Sequence, residues 1–182
     1  MRRLIIGSLL AAVAMFMWGF VFWVASPVPG SVMKSVPDTP AAQAALRSAF
    51  PESGAYFIPD PDLPEDQMTA LHEAGPLAFV HYQAEGGPAM DPGVLISGFL
   101  HEWVVCFLLG WMLLRTRTPT YMTRVLFVGI AGVTAALFID YGAVIWFSAD
   151  RGFQIVNMFS NAMSWVVAGL VLAWMPGSEE MA

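Results

Sequence analysis

The chain has 182 residues, 57% of them hydrophobic, with a net charge of −6 and a single cysteine. Its mean hydropathy of +0.62 is too high for an ordinary soluble domain and suits a short membrane protein. The eight basic residues are scattered, which excludes a nucleic-acid-binding surface, and the lone Cys106 excludes an intramolecular disulfide and dithiol chemistry within one chain.

The first apolar run, Leu4 to Ala25, is long enough to cross a hydrocarbon core, which takes roughly 20 helical residues. Arg2 and Arg3 precede it as they would a signal peptide, but Trp23 stands where a small residue should precede Ala25. Residues 1–25 therefore read as a retained anchor.

Residues 26–93 form a separate module by composition, holding eleven of the thirteen prolines and nine acidic residues against two basic ones. Thr39 is placed to cap a helix with Pro40 at its first position, and Ala42, Ala45, Leu46 and Phe50 give it an apolar face. SGAYFIP reads as a strand ended by Pro59. LPEDQMTALHEAGP reads as a second helix with acidic residues in its first turn and Gly75-Pro76 at its end. PLAFVHYQAEGG is a second strand, with Leu77, Phe79 and His81 on one face and Ala78, Val80 and Tyr82 on the other. The expectation is an αβαβ module whose strands pair, with Phe57, Leu71, Leu77 and Phe79 in a core thin enough to require packing on the ends of the spans.

Three more spans follow over residues 94–182: Val94 to Leu114, Val125 to Phe147, and Phe153 to Met175. The fold class expected is a membrane all-α four-helix bundle with a small α+β extra-membrane module inserted between helices one and two. Arg2, Arg3, Arg115, Arg117 and Arg124 fall on one side, against Lys34, Arg47 and Arg151 on the other. Positive-inside orientation then makes the 115–124 loop, both termini and the C-terminal tail cytoplasmic, and the 26–93 module periplasmic. The seven tryptophans lie mostly toward span ends, where interfacial anchoring accounts for them.

The first span MWGFVFW, the segment PESGAYFIP, the EGGPAM turn and the three later spans together resemble a group of uncharacterised small proteobacterial inner-membrane proteins. The resemblance covers most of the chain. It implies this layout and an inner-membrane location, and it brings no activity and no site residue.

Polar groups inside the spans share one level. Glu102 lies eight residues from Val94, Asp140 seven from Phe147 and Asn161 eight from Phe153, which places all three roughly 11 to 12 Å from the module-side ends. They also sit on rows of small residues: Gly98, Glu102, Cys106 and Gly110 on span two; Gly132, Ala136 and Asp140 on span three; Asn157, Asn161, Ser164 and Ala168 on span four. Such rows let helices approach and turn polar members toward each other. Span one has small residues but no comparable polar group. An ionised carboxylate at this level costs several kcal/mol unless it is paired, hydrated or protonated. The candidate intramembrane cluster is thus His101, Glu102, Asp140, Asn157, Asn161 and Ser164, with His101 either completing the layer or capping it.

No catalytic residue is assigned and no cofactor is expected. His101, Glu102 and Asp140 are ligand types without a tight metal-binding spacing. A two-histidine haem would have to recruit His72 or His81 from outside the spans. Met68 and His72, at i and i+4, read as a core methionine beside a surface histidine, and no phosphate loop or nucleophile motif is present.

Two functions fit this pattern, the first leading and the second its alternative. One is a non-catalytic accessory or assembly subunit presenting the module to an envelope or respiratory complex, with the lipid bilayer and a protein partner or second copy as its contacts. The other is a membrane enzyme or proton-coupled carrier using Glu102 and Asp140, which requires a cavity reaching the polar layer and, with only four spans, oligomerisation.

Overall fold

The computed structural model describes residues 1–175, so the expected C-terminal tail lies outside the described residues. In chain order the elements are α1 (Arg2–Ala25), α2 (Val28–Val32), α3 (Thr39–Ala49), β1 (Gly54–Ile58), α4 (Glu65–Ala74), β2 (Ala78–Tyr82), α5 (Pro92–Arg115), α6 (Tyr121–Trp146) and α7 (Arg151–Leu172). Helices α1, α5, α6 and α7 are long and apolar enough to cross a membrane.

Short polar side chains start these helices by accepting orphan backbone N–H groups. Asp91 caps α5 through Gly93, Thr120 caps α6 through Thr123, and Asp150 caps α7 through Phe153. In α3 the cap is Asp38, accepting from the Ala41 N–H, rather than the expected Thr39, which becomes the first helical residue. The C-terminal end of α7 is held by Arg124, whose guanidinium donates to the carbonyls of Ala173 and Met175, and by the Tyr121 hydroxyl, which donates to the Leu170 carbonyl at 3.0 Å.

The bundle is not closed all the way round. Helix α1 packs on both α5 and α7, α7 packs on α6, and α5 touches α7 lightly, while α5 and α6 have at most marginal contact. Span one is thus a shared partner, burying Leu4, Ser8, Ala11, Ala12 and Met15. It also carries a polar group that sequence reading overlooked: the Ser8 hydroxyl accepts from the Trp103 indole at 3.1 Å. Trp18 likewise donates to the Ser160 carbonyl at 3.1 Å. These two tryptophans therefore do more than anchor an interface, whereas Trp146 and Trp174 remain largely exposed.

The inserted segment opens with the short α2, which was not expected, and continues in the expected αβαβ order, its strands pairing antiparallel with Phe57 opposite Phe79 and Gly54 opposite Tyr82. Its packing differs from expectation. Phe50 is the buried aromatic side chain, at 4.5 Å from Tyr56 and 5.3 Å from Tyr82 between ring centroids. Phe57, Leu71 and Leu77 all remain substantially exposed. Two short strands cannot cover both faces. Helix α3 takes the tyrosine face through Phe50, and on the other face Phe57 stacks on Phe79, which stacks in turn on Phe147 at the end of α6. The module is docked on the span ends, as its thin core requires.

Close approach of α6 and α7 depends on glycine. A Cβ at Gly132 would overlap Trp165, whereas one at Gly19 in α1 would meet nothing within 4 Å. Gly132→Ala should therefore destabilise the protein by roughly 1–3 kcal/mol. Gly19→Ala should be neutral or stabilising by up to about 1 kcal/mol. Thermal unfolding in detergent checks both, and equal effects would contradict the α6–α7 packing.

Candidate functional site

The site is built where α6 departs from regular helix. The row Gly132, Ala136 and Asp140 is buried along its length, and Leu137–Tyr141 widens into a single π turn that contains the carboxylate. Such one-turn bulges change where following side chains point and recur at functional sites. Asp140 is only 4% exposed.

On the facing helix, Asn157 and Asn161 stand one turn apart and both reach it. The Asn157 amide donates to Asp140 Oδ1 at 2.9 Å and the Asn161 amide donates to Oδ2 at 2.9 Å. Because a carboxylate oxygen accepts, both amides must turn their nitrogens inward, which fixes their orientation. Each Asp140 oxygen thus has one donor.

Glu102 has no such arrangement. Its neighbours along the row are well packed: Cys106 lies fully buried with Sγ 3.4 Å from Met15 Sδ, and Gly110 lies against Leu4 and Leu172. Above that level the row opens, and a Cβ at Gly98 would meet nothing within 4 Å. Glu102 Oε2 is buried and has no hydrogen-bond partner among the described residues.

The two carboxylates face one recess of about 360 Å³ between α5, α6 and α7, with Met15 of α1 contributing. His101, Glu102, Asp140, Asn161 and Ser164 all line it. Asn157 joins through Asp140, without lining the recess itself. The Ser164 hydroxyl donates to the Ser160 carbonyl at 3.0 Å, so its proton is already committed. His101 is exposed, which places it at the rim rather than inside the paired layer. The recess therefore brings five of the six expected residues together, with Asn157 reached only through Asp140, and no hydrogen bond joins Glu102 to Asp140.

Trp165 and Met15 also form the wall and were not singled out from sequence. Trp165 did carry a signal, since it lies fourteen residues past Arg151, deep in the helix, where interfacial anchoring does not apply. Among the described residues no three His, Cys, Asp or Glu side chains come close enough to hold a metal ion. Met68 and His72 line a second recess of about 210 Å³ between the module and the end of α6, in the company of Phe57, Phe79 and Phe147.

No protein-family model matches this chain, and no curated protein or solved structure shows significant similarity to it.

The two carboxylates differ in how their removal should act. Asp140→Leu strands two amide donors and should cost on the order of 2 kcal/mol or more. Glu102→Met removes an oxygen with no partner and should leave stability within about 1 kcal/mol of wild type, or raise it. Unfolding midpoints of the purified variants test this, and a larger loss for Glu102→Met would contradict the asymmetry.

Proposed function

We propose that the protein is a multi-pass inner-membrane protein whose activity resides in the recess lined by Glu102 and Asp140, as a membrane enzyme or proton-coupled carrier that binds a small molecule there. The observation that carries this reading is the unpartnered, buried Glu102 oxygen beside an otherwise hydrogen-bonded polar layer. A purely structural layer would be expected to satisfy every member, since an orphaned buried oxygen costs roughly 1–3 kcal/mol. A group retained at that cost is suited to receive a hydrogen bond from a ligand. Asp140, held by both amides, supplies a fixed acceptor on the opposite wall.

In this reading Arg2, Arg3, Arg115, Arg117 and Arg124 hold their ends of the spans in the cytoplasm and the 26–93 module faces the periplasm. The resemblance to a group of small proteobacterial inner-membrane proteins leads to the same expected layout. Four spans are few for a carrier, so a second copy or a protein partner is part of the proposal. The accessory-subunit reading draws support from the module itself, where Leu46, Leu71, Leu77 and Met90 are exposed and offer apolar surface to a partner.

Orientation is tested by cysteine scanning with a membrane-impermeant maleimide in intact cells, with the fully buried Cys106 as a silent background. Glu65→Cys should label from outside and Thr118→Cys should not; the reverse pattern would overturn the topology. The two functions separate on extraction in mild detergent followed by native mass spectrometry. A small molecule retained by wild type and lost from the folded double variant Glu102→Gln, Asp140→Asn supports the intramembrane site. A stoichiometric protein partner retained equally by both, with no small molecule, would replace that reading with the accessory one.

A further inference from the structure

Resting on the intramembrane site proposed above, we infer that its ligand enters sideways from the bilayer, through the seam between α5 and α6, and is a neutral, lipid-soluble molecule with a hydroxylated ring, of the quinol class.

The direction of entry follows from helix order. Helices α5 and α6 are consecutive and joined only by Thr116–Thr120, yet they pack on α1 and α7 and barely touch each other. The recess lies in the gap they leave. Its two rims are the exposed His101 on α5 and Ile139 on α6, which is 66% exposed. His101 is nine residues into α5 and Ile139 seven residues from the end of α6, so the mouth lies roughly 10 to 13 Å below the module-side ends. That is within the hydrocarbon of a bilayer about 30 Å thick. The helix surface next to Ile139 on α6 is apolar and exposed, at Leu137 and Phe138. Acyl chains would meet the recess there.

The chemistry of the ligand follows from what the walls leave free. One N–H of each of the Asn157 and Asn161 amides serves Asp140, and the Ser164 hydroxyl serves the Ser160 carbonyl. Free acceptor oxygens face the recess from both walls. Glu102 Oε2 has no partner, and each Asp140 oxygen has one donor and a spare lone pair. The complementary ligand therefore presents O–H groups. An ion arriving through hydrocarbon would bear a large desolvation cost, which a neutral hydroxyl on an apolar body avoids. The remaining walls suit a ring, since Trp165 offers an aromatic surface and Met15 an adaptable thioether. A volume of about 360 Å³ falls in the range of small-molecule sites. An apolar tail would leave through the seam.

The test is equilibrium binding of tritiated decylubiquinol to the full chain in phosphatidylcholine nanodiscs, with empty nanodiscs measuring partition into lipid. The expected result is one saturable site per chain. Affinity should fall at least tenfold with Glu102→Leu, which removes the free acceptor, and with Ala135→Trp, which fills the recess. The dimethyl ether of the same quinol, which has no O–H to donate, should also bind at least tenfold more weakly. Binding that ignores both substitutions, or is equal for the diether, overturns the inference. So does cross-linking of Gly98→Cys to a second chain in a Cys106→Ala background, because a second copy would then occupy the seam. If decylubiquinol fails to bind while wild type retains a water-soluble molecule in a Glu102-dependent way, lateral entry is wrong and the intramembrane site stands. If nothing is retained in a Glu102-dependent way, both fail.

Discussion

The Asp140 carboxylate held between the Asn157 and Asn161 amides is the contact on which the arrangement of the spans turns. Placing an aspartate at the centre of a membrane helix costs roughly 2.5–3.5 kcal/mol. Hydrogen bonds to a charged group return roughly 1.5–3 kcal/mol each, so two of them offset that cost. They do so only if α6 and α7 are held in one register at close range. Gly132 against Trp165 and Gly169 against Val128 provide that closeness, and the asparagines, one helical turn apart, provide the register.

Once α7 is committed to α6 on one side and α1 on the other, α5 has only α1 and the edge of α7 to pack on. The half of α5 away from the module does so well, through Cys106, Leu109 and Leu113. Its other half carries His101 and Glu102 past the end of that packing and along the open seam. The difference between the two carboxylates thus follows from helix order: Asp140 faces a helix with amides to offer, and Glu102 faces a gap. Helix α5 thus keeps one buried carboxylate oxygen without a partner, a local cost of roughly 1–3 kcal/mol.

Much of this was legible in the sequence because its signals are local. Hydrophobic length marked the four spans, proline and acid content marked the inserted module, and alternation with turn residues gave its two strands. Counting along helices brought Glu102, Asp140 and Asn161 to one level, and the small-residue rows placed the carboxylates on inward faces. What stayed hidden depends on which helix meets which. Nothing near Glu102 or Asp140 reveals that only one of them would find amides, and the π turn around Asp140 has no proline or glycine within it to announce it. The same holds for Phe50, which is buried because α3 folds over the tyrosine face of a two-stranded sheet, while Leu71 and Leu77 find no layer to cover them.

The carboxylate–amide contact between Asp140 and the two asparagines sets the register of spans three and four. Solid-state NMR of the protein in lipid bilayers, with ¹³C at the Asp140 carboxyl and ¹⁵N at the asparagine side chains, measures it directly through their dipolar coupling. The account predicts coupling at hydrogen-bonding range from Asp140 to the amides of both Asn157 and Asn161. Absence of coupling to either amide, in a folded sample, would contradict it.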